Sequence, residues 1–321
     1  MIVLPAQAPP ARRWLAHLAR AAAGVIRAGD RFDDVFAFES GPVAALARRE
    51  GVAPLVHCGL VSGRIADPVP SDFRALVRDA WETSRRRSRT VLETGAAAQA
   101  ELAAASVDAV AVGAFALVRG KDDLYREPGL RPVERLDLVV PGSDLVRAAA
   151  RLRGLGFAPV APSAARPHGG GLRLVRRVAG LPVLLELHTG VGAGRGRRLE
   201  GDRFLAAHTL RAADGSADAA VSGQLLFVAA RLAGRRGLPW IDLLDLHRLV
   251  EARPDWRALL REAGAPGLRR ALYVGLAASR ELLRSPIPKE VLAELAPGPR
   301  RRRLLHWRLA VDARAAAPGD G

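Results

Sequence analysis

Lysine is nearly missing from this chain of 321 residues: Lys121 and Lys289 are its two, within 49 Lys plus Arg, so almost every cation is an arginine. A single cysteine, Cys58, excludes an internal disulfide and suits a reducing compartment. The opening "MIVLPAQAPPARRW" has no basic region followed by a long apolar core, so no secretory signal is read and a cytoplasmic protein is expected. No apolar run reaches the roughly 18 residues of a membrane span. The nearest candidate, "VDAVAVGAFALVRG" from Val107 to Gly120, is short and carries Asp108, so no membrane partner is expected. No Cys-x₂-Cys or His-x₃-His spacing occurs, which argues against a zinc centre. Aromatic residues make up 5%, too few among the basic runs for a single-strand stacking platform. No repeat of roughly 20 to 50 residues is found.

What is present is a globular balance, 49% hydrophobic and 26% charged, with a net charge of +16. That charge can be read as attraction to polyanions. It can equally be read as base composition: abundant alanine and arginine in place of lysine fit a GC-rich, bacterial genome. "TSRRRSRT" (Thr83 to Thr90) and "PRRRR" (Pro299 to Arg303) could track a phosphate backbone, but such runs are more often the solvated face of a helix.

The period of the apolar residues divides the chain in three. Residues 1–105 read as a helical region: in "SDFRALVRDAWETSRRRSRTVL", Phe73, Leu76, Val77, Ala80 and Trp81 form one helical stripe. Residues 106–199 change to short β-branched runs, "VDAVAVG", "RLDLVV", "GFAPVA", "GLRLVRRVA" and "LPVLLELHT". Among them lies one amphipathic helix, "SDLVRAAARLRGLG", with a Ser-Asp cap signal and a glycine stop. Residues 200–321 read as helical again, with an Asp255 cap opening "DWRALLREAG". The order implies a mixed α/β sheet between helical flanks.

Asp137, in "RLDLVV", is a lone acid on an apolar strand, and such a carboxylate needs a partner or a metal. Glu186 is a second acid on a strand and shares its face with His188. "TGVGAGRGRR" (Thr189 to Arg198) misses the G-x-G-x-x-G spacing and reads as a loop, within reach of phosphates through Arg195, Arg197 and Arg198. "RPHGGG" (Arg166 to Gly171) reads as a flexible hairpin or loop. His57 and Cys58 are adjacent on an apolar helix, about 100° apart, and are expected to pack in the core. Asp242, Asp245 and His247 read as capping or surface residues.

Gly113, Tyr125, "PGLRP" (Pro128 to Pro132), "RLDLVV" (Arg135 to Val140) and "ELH" (Glu186 to His188) come in an order that resembles an uncharacterised nucleotidyltransferase family of the DNA polymerase beta-like superfamily. The helical segments "RREGVAPLVHCGL", "LLFVAARLAGRRGLPWIDLLDLHRLV" and "DWRALLREAG" resemble its flanks. The resemblance implies an α/β (α+β) fold, a nucleotidyltransferase-like mixed-sheet core flanked by helical regions. It also implies transfer of a nucleoside monophosphate from an NTP to an unknown acceptor with Mg²⁺. In such chemistry divalent ions held by carboxylates neutralise charge developing around the transferred phosphorus. By resemblance, Asp137 and Glu186 are catalytic metal ligands. Gly113 lets backbone approach the phosphates, and Arg119, Lys121 and Arg131 are phosphate partners.

The chain departs from the family pattern at two places. Arg135 stands where a first aspartate is expected, on the same strand face as Asp137. At about 6 Å and an effective dielectric near 20 it would repel a dication by about 5 kcal/mol. Val112 replaces the lysine expected before Gly113. Two readings of the acids stay open: a metal or cationic ligand group held by Asp137 and Glu186, or an internal ion pair of both with Arg135. The first gives a transferase of impaired activity. The second gives an inactive scaffold that binds a nucleotide, RNA or a partner protein.

Overall fold

Strand alternation decides what each face of the sheet meets. In a computed structural model the chain is described at residues 10–24, 39–65, 69–119, 125, 127, 129–160, 171–192, 198–213, 215–233, 238–264 and 266–299. Four helices come first: α1 (Pro10–Ala22), α2 (Ser40–Arg49), α3 (Ala53–Val61) and the 34-residue α4 (Ser71–Ala104). The strand-rich middle follows as β1 (Val110–Val112), α5 (Gly113–Arg119), β2 (Arg135–Val139), α6 (Leu145–Gly154), β3 (Ala158–Pro159), β4 (Gly171–Val178) and β5 (Leu181–His188). The chain continues through β6 (Gly190–Val191), β7 (Leu199–Glu200), α7 (Gly201–His208), β8 (Thr209–Arg211) and β9 (Ala217–Ala219). It closes with α8 (Val221–Ala233), α9 (Trp240–Glu251), α10 (Trp256–Glu262), α11 (Pro266–Leu283) and α12 (Lys289–Leu295).

Seven strands form one mixed sheet in the order β3-β4-β5-β2-β1-β9-β8, and β6 pairs with β7 separately. β2 runs antiparallel to β1 and parallel to β5, with Asp137 directly opposite Glu186. The period of two then sorts the side chains. Leu136 and Leu138, with Leu185, Leu187 and Leu174, pack against Val91, Ala98 and Leu102 of α4 and Leu152 of α6. Val139, Val110 and Val112 turn the other way, into a core shared with α8, α9 and α11. Asp137 lies on this second face, so its carboxyl is directed into the space under α8.

Local chemistry explains most of the boundaries. α4 follows Pro70 and buries Phe73 and Val77 as the stripe requires, then runs on through "ETGAAAQAELAA" to Ala104. Asp255 caps α10, its side chain accepting from the Ala258 amide at 3.0 Å. The Ser-Asp signal before α6 works differently from the expectation. Residues Gly142–Asp144 form a 3₁₀ turn, and Asp144 pairs with Arg147 at 2.9 Å instead of capping. β8 and β9 add to the sheet from a stretch whose sequence gave no strand signal, since three residues are too few to show alternation.

Candidate functional site

The register of β2 and β5 sets two carboxylates side by side, both fully or almost fully buried: Asp137 at 0% and Glu186 at 3% exposure. Arg135, one alternation before Asp137, folds over the pair. Its Nε donates to Asp137 Oδ2 at 3.1 Å and its Nη1 lies 3.6 Å from Glu186 Oε1. On the next strand Arg173 is paired in register with Glu186 and reaches Oε1 with Nη2 at 2.6 Å and Nε at 2.9 Å. His188 Nε2 lies 2.9 Å from Asp137 Oδ1 and 3.8 Å from Glu186 Oε2. Its ring stands edge-on to Phe227 of α8, with centroids 5.3 Å apart.

Every carboxylate oxygen of the pair thus faces a guanidinium or the imidazole. Burial by itself would raise the Asp137 pKa; Arg135, the His188 hydrogen bond and Arg231 outweigh it and hold the carboxyl well below the usual range. Burial would likewise lower the pKa of Arg135, and Asp137 and Glu186 reverse that, so the guanidinium keeps its charge more firmly than in water.

Gly113, the first residue of α5 directly after β1, closes the site. It takes φ +64°, and a Cβ there would lie 3.0 Å from Phe227 Cε1 and 3.4 Å from Asp137 Oδ2, so conformation and space both require glycine. Its amide, expected to face phosphates, donates to Gln224 Oε1 at 2.8 Å.

Behind the site lies a second buried charge network. Arg231 of α8 contacts Asp242 Oδ1 at 2.5 Å and Asp245 Oδ2 at 3.5 Å. Arg131 reaches Asp245 Oδ2 at 2.8 Å, and the Tyr125 hydroxyl donates to Asp245 Oδ1 at 2.7 Å. Burial, then the Asp245 charge, push the Tyr125 pKa well up. Arg231 belongs to both groups, because its charge also acts on Asp137.

Among the residues expected at the site, Asp137 and Glu186 come together and Gly113 adjoins them. Arg131 lies in the second network, its fork turned to Asp245. Arg119 is tied to Asp218 of β9 at 2.6 Å and lies over the Phe115 ring at 4.5 Å. Lys121, Arg195, Arg197 and residues 166–170 fall outside the described residues, while Arg198 pairs with Glu200 at 3.0 Å. Asp242 and Asp245 are fully buried, not capping or superficial as the sequence reading had them. Their partners are Arg231, on the preceding helix α8, and Arg131, which lies far off in sequence. Nor do His57 and Cys58 join the core: both are half-buried, His57 against the Trp81 ring at 5.0 Å. Burial, then Glu127, push the Cys58 thiol up to about 11, which leaves it unreactive. Arg173, Gln224, Phe227 and Arg231 were missed; for Arg173 the signal was the two-residue turn at Ala179 and Gly180, from which a hairpin register puts position 173 opposite 186.

Residues 37–284 match the family described as uncharacterised nucleotidyltransferase. The chain belongs to that family. No curated protein matches it. A crystal structure described as an antigenic nucleotidyltransferase-like protein from Paracoccidioides brasiliensis is similar over 64% of this chain and 97% of that one, with 16% identity and a TM-score of 0.40. None of the helices among the described residues is long and apolar enough to cross a membrane.

Nucleotidyltransferases call for divalent metal, so this member's donor set must be tested against it. One atom each from Asp137, Glu186 and His188 lies within 4.8 Å of the others, close enough to converge on an ion. Charge and chemistry oppose Mg²⁺ there. Arg135 and Arg173 already balance the two carboxylates, and the third donor is an imidazole nitrogen, whereas Mg²⁺ takes oxygen. With Arg135 seated, the residues do not fit Mg²⁺.

Proposed function

We propose that this nucleotidyltransferase-family protein binds a nucleotide through its phosphates without a metal and does not transfer the nucleotidyl group. The observation that carries this reading is the position of Arg135, whose guanidinium lies against both Asp137 and Glu186. A tethered monocation there supplies the charge compensation that a metal would otherwise bring, and it cannot polarise a leaving pyrophosphate as two dications do. A small, partly open crevice lies beside it, lined by Arg135, His188, Val191, Gly192, Phe227, Ala230 and Arg231, with room for a phosphate oxygen at its mouth rather than for an enclosed nucleotide. Arg231 Nε, buried and without a hydrogen-bond partner among the described residues, and the outer edge of Arg135 are donors for a phosphate oxygen. The acids hold the guanidinium in place and are not metal ligands in this reading.

The convergence of Asp137, Glu186 and His188 favours a rival, a Mg²⁺-dependent transferase in which Arg135 swings out. Calorimetric titration with ATP, GTP, CTP and UTP, with Mg²⁺ and with chelator, separates the two. Binding that chelator leaves unchanged, with no pyrophosphate release, is expected. Binding that needs Mg²⁺ and releases pyrophosphate would overturn the proposal. Arg135→Asp goes further: it replaces a repulsion of about 5 kcal/mol with a third carboxylate, so Mg²⁺ affinity should rise by roughly two decades or more.

A further inference from the structure

The run "TSRRRSRT" straddles the middle of α4, and helical geometry sorts the cations of this helix. Arg74, Arg78, Arg85 and Arg89 follow at intervals of four, seven and four residues, which keeps them on one stripe. All four are exposed. Fifteen residues at the helical rise place the outermost two about 22 Å apart. Arg85 lies over the Trp81 ring at 5.2 Å, and that ring is backed by His57 at 5.0 Å, so the middle of the row is held in position. Glu82, 3.9 Å from Arg78, is the sole carboxylate pairing with the stripe among the described residues.

We propose that this stripe binds the sugar–phosphate backbone of single-stranded nucleic acid, without regard to sequence. Three features select that partner. The cations form a line, which matches a linear polyanion better than a compact acidic patch. Among the described residues the exposed large hydrophobic residues, Val61, Val146 and Leu210, lie off α4, and Trp81, within the row, is covered by Arg85 and His57, which leaves no open apolar centre for a protein interface and no wedge for a lipid surface. The opposite side of α4 is buried, Phe73 and Val77 in one core and Val91, Ala98 and Leu102 in the other. The helix therefore cannot enter a groove and offers one row of charge to one strand. None of these arginines lines the crevice, so this inference is independent of the function proposed above.

The test is the salt dependence of binding to a labelled 20-nucleotide poly(U), read by fluorescence anisotropy. Each phosphate contact contributes about 0.7 to the slope of log K against log[salt] on a single strand. Combining Arg74→Gln, Arg78→Gln, Arg85→Gln and Arg89→Gln should flatten that slope by about 2.8 and weaken binding at 0.1 M salt by roughly several hundredfold. A second variant removes the same charge elsewhere, at the exposed Arg153, Arg257, Arg261 and Arg270, each changed to Gln. It should keep a slope close to that of the unaltered protein. Equal losses in both variants would reduce the effect to overall charge and overturn the proposal. So would absent poly(U) binding, or binding confined to polyglutamate or to phosphatidylserine vesicles. Circular dichroism confirms that both variants fold, which is expected of exposed substitutions.

Discussion

Arg135 and Asp137 stand two residues apart on one strand, and each depends on the other. Asp137 is fully buried, and its pKa lies below the ordinary value because Arg135 and His188 overcome the effect of burial. A carboxyl depressed in the folded state contributes stability above its unfolded pKa of about 3.9, and that contribution is lost as pH falls through the folded value. Arg135→Gln removes the largest favourable influence and leaves only His188 and Arg231 to oppose burial. The acid unfolding midpoint should therefore rise by about one pH unit, and stability at pH 7 should drop by about 3 kcal/mol, measured by circular dichroism and urea titration. The second network obeys the same rule. Asp245 neutralises Arg131, faces Arg231 and accepts from Tyr125, so Asp245→Ala removes the close partner of Arg131 and leaves Asp242 alone between two buried guanidiniums. The expected loss is about 3 to 5 kcal/mol. Asp255→Ala, at the exposed α10 cap, should cost about 1 kcal/mol, and the contrast between the two in urea midpoints checks that burial sets the difference.

At the scale of elements, glycine takes opposite signs in α4 and in α2. A Cβ on Gly95 would lie 2.5 Å from the Phe115 ring and 2.6 Å from Leu136 Cδ2, where α4 crosses the sheet. Gly95→Ala should lower stability by about 1 to 3 kcal/mol despite the gain in helix propensity. Gly41, in the first turn of α2, has nothing within 4 Å of its Cβ position, so Gly41→Ala should raise stability by up to about 1 kcal/mol. Thermal melts of the two variants should move in opposite directions. The elements themselves were largely legible: the runs holding Val110, Asp137, Val175 and Glu186 became strands, and the stripe from Phe73 to Trp81 became α4. The site was legible in part. Period two put Arg135 on the Asp137 face and His188 on the Glu186 face, so the ion pair could be anticipated from sequence. The hairpin of β4 and β5, closed by the turn at Ala179 and Gly180, fixes Arg173 opposite Glu186, so that pair was open to a register count; Arg231, on α8, meets its acids through helix packing that strand period does not report. Asp242 and Asp245 were misjudged because helix period alone does not show that α9 packs with Arg231 of α8 and with the distant Arg131.

Across the whole molecule, charge and proton uptake pull together as pH falls. The chain already carries +16, and self-repulsion disfavours the compact state. Two histidines add to this from inside. His208 and His247 have pKa values lowered first by burial, His208 against Phe204 and Ser222 and His247 against Ser285. A histidine depressed on folding is neutral in the native state and takes its proton more readily when unfolded. Its contribution is therefore intact above the unfolded pKa of about 6.5 and is lost as pH falls from there through the folded value. Carboxylates such as Asp137 stay ionised across that window, so they do not mask the trend. The urea midpoint should accordingly fall steadily between pH 7.5 and pH 5, and His208→Gln combined with His247→Gln should flatten the slope while lowering the midpoint at pH 7.5. Salt distinguishes the two causes: 0.5 M NaCl screens surface repulsion, with a Debye length of about 4 Å, and should raise the midpoint at every pH. The histidine-dependent slope, arising from buried groups, should persist in that salt, and its disappearance would assign the whole effect to surface charge.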